Sequence, residues 1–422
     1  MGARGVIFCT ATAFMTLPAF AQTLTTIGTF SDIEGYYPNG GLIADHAGNL
    51  YGTTLDGGEY GAGTVFELTP PAKRSRIWSQ TVLTSSNGAP RAGLVADKAG
   101  NFYGTTSGGG NGHGTVFELS PPGPGQTSWT QTVLASFDAE NGDFPSASLI
   151  LDRRGNLYGT AAEGGTSPAC DGGCGTVFEV SPPAGHKKTW TLTALTSFTG
   201  TTAEHPFAAL ILDSAGNLYG TTKFGGNSAC SNGCGTVFEV SPPAAGQTAW
   251  TTTVLTSFDG VNGSYPLGSL IADSAGNFYG TTIGGGAAGD GTVFELSPPQ
   301  AGQTAWTETV LFSFSGNDGD GPLASLIFDS AGNLYGTTNA GGGAPACAAD
   351  GGCGTVFELM PPTSGQTAWT ETVLAAFDGR NGYSPLGSLL AGKGGVYYGT
   401  TVGTGDPVKG HVRYGTVFRL KP

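Results

Sequence analysis

Two short phrases return seven times each along this chain, and few folds can absorb such a pattern. The first, clearest as G-N-L-Y-G-T-T, occupies residues 48–54, 100–106, 155–161, 216–222, 276–282, 332–338 and 395–401. The second, G-T-V-F-E-L, occupies 63–68, 114–119, 175–180, 235–240, 291–296, 354–359 and 415–420. Copies spaced about fifty to sixty residues apart are single supersecondary units, which bury their apolar faces only by stacking on their neighbours.

The unit that starts near Leu323 reads as four strands. Ala324 to Phe328 is a short apolar run, strand a, and Asp329-Ser330-Ala331-Gly332 is a turn signature. Strand b follows from Asn333 to Thr338, strand c runs from Gly354 to Leu359, and Pro361-Pro362 stops it. Strand d spans Trp369 to Phe377. No helical periodicity interrupts the pattern. The fold class expected is all-β: a seven-bladed β-propeller of four-stranded antiparallel blades, forming one domain over residues 22–422.

Strand counts predict how the ring closes. Strands a, b and c recur seven times, but strand d follows c only six times, at 77–84, 129–137, 190–198, 250–258, 306–314 and 369–377. The missing copy lies at the other end, where Leu24-Thr25-Thr26-Ile27-Gly28-Thr29-Phe30 matches T-V-L-x-S-F. The N-terminal strand is therefore expected to complete the last blade, removing an exposed edge.

Alternating strand direction sorts the loops. The a–b turns and c–d hairpins share one face and are monotonous, D-S-A-G-N and S-P-P-x-x-G-Q-T-A-W. The b–c and d–a loops share the other. The b–c loops are 55–62, 107–113, 162–174, 223–234, 283–290, 339–353 and 402–414, and they differ in length and charge. Variable loops on a rigid scaffold are where function resides.

Composition agrees with many short strands. Gly 74 and Pro 25 sit at fixed points of the motif, only 11% of residues are charged, and six Trp and 23 Phe supply a core. Residues 1–21 read as a signal peptide, with Arg4 as the positive region, an apolar run from Val6 to about Phe20, and Ala19-Phe20-Ala21 before the cleavage point. No later segment is apolar enough to cross a bilayer. Loss of Arg4 takes the net charge from −14 to −15. With Lys and Arg scattered, nucleic acid and anionic membranes are not expected partners.

Cys9 leaves with the signal, and six Cys remain as Cys170/Cys174, Cys230/Cys234 and Cys347/Cys353, all in b–c loops. An even count in an exported chain points to disulfides, and the close spacing predicts three local bridges. The recurring Asp45, Asp97, Asp152, Asp213, Asp273 and Asp329 read as turn residues. Glu67, Glu118, Glu179, Glu239, Glu295 and Glu358 read as paired structural groups, since a catalytic acid is not needed once per blade. Asp138, Asp143, Asp318 and Asp320 have oxygen-ligand character suited to Ca²⁺, although neither cluster matches an EF-hand loop. No other cofactor is expected. His113, His205 and His411 map to the variable face in different blades. No nucleophile elbow or phosphate loop appears.

The unit G-N-L-Y-G-T-T…G-G…G-T-V-F-E-L closely resembles the tandem repeat called GloVer, after Gloeobacter and Verrucomicrobia, over essentially the whole mature chain. That resemblance implies an exported bacterial repeat protein, periplasmic or extracellular. Such proteins often carry a C-terminal surface anchor. None follows Leu420-Lys421-Pro422, which favours secretion. The unit is also similar to a distant kelch repeat, in its Gly-Gly after strand b and the Trp that opens strand d. The hairpin G-Q-T-A-W resembles a sialidase Asp-box only loosely, since the Asp is absent.

The function expected is non-catalytic binding or scaffolding of a glycan or extracellular protein by a monomer. Tyr36, Tyr37, Phe144, Phe207, Tyr265 and Tyr383, in or just after the d–a loops, are the candidate ligand contacts. The alternative is a carbohydrate-active hydrolase or lyase using carboxylates on the same face.

Overall fold

The computed structural model describes residues 22–422 except 73, 74, 76, 186, 187, 346, 348–350 and 405–413. The expected signal peptide and His411 lie outside the described residues. Seven four-stranded antiparallel sheets form the propeller, and no α-helix occurs among the described residues. Blade 1 shows the pattern, with strands Ile43–Ala44, Leu50–Thr54, Thr64–Thr69 and Ser79–Ser85. Blade 7 is composite. Leu390–Gly392, Val396–Thr401 and Thr416–Lys421 are joined by Thr23–Thr29, in a register from Thr23 opposite Lys421 to Thr29 opposite Thr416.

Strand a is shorter than expected. In blade 6 it is only Ile327–Phe328, not Ala324 to Phe328. The reason lies at the axis, where residues just before strand a have no inner strand to pair with. They line a central channel of about 120 Å³ and bond to neighbouring blades instead. Thr281 Oγ1, on strand b of blade 5, donates to the Ala324 carbonyl at 3.2 Å. Thr53, Thr105, Thr160 and Thr221 donate to the next blade in the same way. The amides of Ala209, Ser269 and Ser325 donate to the hydroxyls of Ser269, Ser325 and Ser388, one blade on.

The motif residues are explained by packing. In L-Y-G-T-T the glycine has no side chain because the strand-c phenylalanine lies on it. A Cβ on Gly336 would sit 2.6 Å from Phe357 Cζ. Each such phenylalanine meets another, from the end of the preceding blade's strand d, edge to face. Phe137–Phe178, Phe198–Phe238, Phe258–Phe294, Phe314–Phe357, Phe377–Phe418 and Phe30–Phe66 have centroids 4.9–5.1 Å apart. Between blades 1 and 2 the pair is broken, because Ser86 stands where the other blades have phenylalanine. Strand d bulges once per blade, for example at Leu255 between Val254 and Thr256. That extra residue explains the adjacent apolar pair in T-V-L.

The monotonous face is a belt of tied-up carboxylates. Asp273 Oδ1 accepts the N–H groups of Ala275 and Asn277 at 2.8 and 2.9 Å, and Oδ2 accepts Asn277 Nδ2 at 2.9 Å and Tyr279 Oη at 3.3 Å. The strand-c acids are paired as expected. Tyr335 Oη donates to Glu358 Oε1 at 2.6 Å, and Ser241 Oγ to Glu239 Oε1 at 2.8 Å. Blade 7 lacks the turn Asp and carries Arg419 in place of the Glu, so both acids of this arrangement are lost together. Desolvation acts to raise the Asp273 carboxyl, but the bonds from Asn277, Ala275 and Tyr279 outweigh it and hold the group below its usual range. A depressed folded pKa stabilises above the unfolded value near 3.8 and is lost as pH falls below it. Asp273→Ala is expected to destabilise by about 1–2 kcal/mol, read from denaturant melts near neutral pH.

Glu371, on strand d of blade 6 opposite Leu359, behaves in the opposite sense. Its Oε1 is buried without a hydrogen bond, and burial together with the charge of Asp318 pushes its pKa up to about 7. Blades 1 and 2 carry Gln80 and Gln131 at this position. A raised carboxyl pKa means stability that is complete below the unfolded value of 4.5 and falls as pH rises through about 7. Glu371→Gln should therefore stabilise by roughly 1 kcal/mol above neutrality, allowing for solvent screening of a half-exposed group, and change nothing at acid pH. Thermal melts across pH check the crossing.

Candidate functional site: the face of the b–c and d–a loops

Each d–a loop places one residue, just before a proline, in the left-handed region. These residues are Tyr37, Ala89, Phe144, His205, Tyr265, Gly321 and Ser384, with φ between 51° and 60°. All but Tyr37 are seen to tie two blades together among the described residues. The Tyr265 amide donates to the Cys234 carbonyl of blade 4 at 2.7 Å, and its carbonyl accepts from Ile283 of blade 5 at 3.3 Å. Because this backbone recurs in every blade, its strain belongs to the architecture. What varies is the side chain carried there.

That variation places the predicted aromatics in different settings. Tyr36 and Tyr37 meet edge to face at 5.0 Å, with Tyr414 at 6.1 Å from Tyr36. Phe207 lines the channel and joins a cluster through His205, Phe224 and Tyr265. Lys223 Nζ lies 4.7 Å from the Phe224 ring centre. Phe144 stands apart under the Arg91 guanidinium, 4.8 Å away. Tyr383 is only 6% exposed, packed where a Cβ on Gly403 would otherwise go.

All three expected disulfides are present, Cys170–Cys174, Cys230–Cys234 and Cys347–Cys353, with Cα–Cα distances of 5.1, 5.0 and 5.2 Å. The first two lie on consecutive blades, and their loops wall a cleft of about 610 Å³. Sequence reading missed the residues inside it, Glu204 and Asn232 among them. The signal was available: blades 3 and 4 are the only neighbours that both carry C-x-x-x-C.

The side chains of three of the four candidate calcium ligands have partners. Asp138 Oδ1 caps its own turn by accepting the Asn141 amide at 2.9 Å, and Asp318 accepts the Ser315 amide and hydroxyl. His113 Nδ1 lies 2.7 Å from Asp143 Oδ2. Burial and then the charge of Asp290 raise the Asp320 pKa. Among the described residues, no group of three or more His, Cys, Asp or Glu is arranged to hold a metal ion. Glu163 is raised by burial first, then by the charges of Asp143 and Asp171.

The profile of the Gloeobacter/Verrucomicrobia repeat matches residues 3–167, 75–252 and 228–422. The chain belongs to that repeat family. No curated protein sequence matches it. Among solved structures, a Bacteroides uniformis protein described by 6-phosphogluconolactonase activity is 13% identical, with a TM-score of 0.51, over 88% of this chain and 98% of that one. The PQQ-bound aldose sugar dehydrogenase of Streptomyces coelicolor is 11% identical, with a TM-score of 0.46, over 95% and 98%. At such identities the likeness to the first shows the propeller fold of this repeat family and nothing of its chemistry. No described helix is long and apolar enough to cross a membrane.

Proposed function

We propose that the chain is an exported, non-catalytic binding module whose glycan or protein ligand docks on the face of the b–c and d–a loops. The contrast between the two faces carries this reading. On one, the carboxylates are spent on turns and strand pairing; on the other, side chains change from blade to blade and a cleft of about 610 Å³ opens between cystine-braced loops. Loops held in advance lose less conformational freedom on binding.

A panel of polysaccharides and extracellular proteins, scored for both retention and cleavage, tests the reading. Once a ligand is retained, Tyr37→Ala and Tyr265→Ala should each weaken it by at least about 1 kcal/mol if they are anchors. Asp273→Ala should leave the affinity of the folded fraction unchanged. The reverse pattern would move the site to the other face. Glu163, crowded by Asp143 and Asp171, is the observation that favours the hydrolase or lyase reading. Cleavage of a panel substrate, abolished by Glu163→Gln, would establish that reading instead.

A further inference from the structure

We infer that the cleft between the two cystine loops is a site for a cationic, hydroxyl-rich saccharide, that is, an oligomer of unacetylated amino sugar. The inference rests on the binding face proposed above and names the guest of one place on it.

The shape comes from glycine and cystine. Gly200 forms part of the floor against the first disulfide, where a Cβ would lie 3.0 Å from Cys170 Sγ. On the other wall, a Cβ on Gly233 would collide with the Gly225 carbonyl oxygen at 2.2 Å. At both places the backbone is close enough that only glycine fits. A volume of about 610 Å³ is in the range of small-molecule sites.

The chemistry comes from Asp171, Thr201, Glu204, Ser228 and Asn232. Among the described residues two carboxylates line the cleft, and no Lys, Arg or His does. The Glu204 side chain is only 14% exposed, and its ionic partner is His205 Nδ1, 3.5 Å away. Burial lowers the His205 pKa, which disfavours the imidazolium that would otherwise face that carboxylate. A mostly buried carboxylate facing a cleft favours a cation there. Beside the same loop, Glu163 is raised by burial and then by the charges of Asp143 and Asp171, and a cationic guest at Asp171 would offset part of that charge. The hydroxyls and the carboxamide answer a different need, donating to and accepting from hydroxyl groups. Asn232 is informative because its twin in the first loop is Gly172. It holds φ at 66°, a conformation glycine adopts freely, and so places an amide where the twin has none. Anionic sugars are disfavoured by the two carboxylates.

Titration calorimetry of the whole protein at about pH 6, where amines are charged, tests the inference with fully deacetylated triglucosamine as probe. Triglucosamine should bind at least about tenfold more tightly than its N-acetylated counterpart or trigalacturonate, and about fivefold more tightly than trilysine. Glu204→Gln should weaken binding about tenfold. Asn232→Gly, which restores the twin's residue and relaxes the backbone, should weaken it severalfold with no fall in melting temperature. Equal binding of the acetylated trimer, trilysine as good as triglucosamine, or affinity unchanged in both variants would each overturn the inference. If some other ligand from the panel is retained on this face while triglucosamine is not, only this inference fails. If nothing is retained, the broader reading fails as well.

Discussion

A chain lacking residues 22–30 is expected to lose more than about 5 kcal/mol of stability and to aggregate on heating. Those residues supply the outer strand of blade 7, and with it Phe30, which is 5% exposed and packs against Phe66 of blade 1. Truncating a buried phenylalanine alone costs about 3–5 kcal/mol. Here the ladder to Thr416–Lys421 goes with it, and a bare strand edge is left facing solvent. Denaturant melts of the two forms decide the matter. A synthetic peptide of the missing residues should restore most of the loss, whereas a truncated protein that melts like the full one would show that closure is not made by this strand.

Phe258→Ala should destabilise by about 3–5 kcal/mol, while Ser86→Ala, at the equivalent place one seam from the first blade, should change stability by less than about 1 kcal/mol. Phe258 is fully buried against Phe294 at 5.0 Å. Ser86 is also buried, but the ring-to-ring contact is missing at its seam, so little apolar contact is there to lose. Hydrogen exchange gives an independent measure: strands beside Ser86 should open at lower free energy than those beside Phe258.

The fold was legible because every blade restates it. The count of T-V-L-x-S-F segments predicts the closing strand, and the structure pairs Thr23–Thr29 with Thr416–Lys421 as the count requires. The disulfides followed from spacing, and the turn Asp and strand Glu from their recurrence. Strand a was drawn too long because its apolar residues continue past the ladder to line the channel, and apolarity alone does not distinguish the two roles. The site was harder to read for the opposite reason: it is built from what does not repeat. Glu204 and Asn232 draw attention only once the fold sets loop 170–174 beside loop 230–234. Single aromatic residues could be placed on the face of the b–c and d–a loops, but not sorted into half-buried pairs such as Tyr36–Tyr37 and buried ones such as Tyr383.

The composite blade also dictates an order of assembly. Strand Thr23–Thr29 is made first and used last, since its partner Thr416–Lys421 emerges at the far end of the chain. Six blades can form in sequence as the chain appears, but the ring stays unclasped until the seventh arrives. By then the folded arc has brought both ends together, which spares most of the loop-closure entropy such a distant pairing would otherwise demand. A circular permutant that joins the present ends and is cut in a d–a loop would have seven contiguous blades and no clasp. It should fold faster, having lost its most distant strand pairing, and unfold faster, since the blades at the cut would be held by packing and the axial hydrogen bonds without a shared sheet.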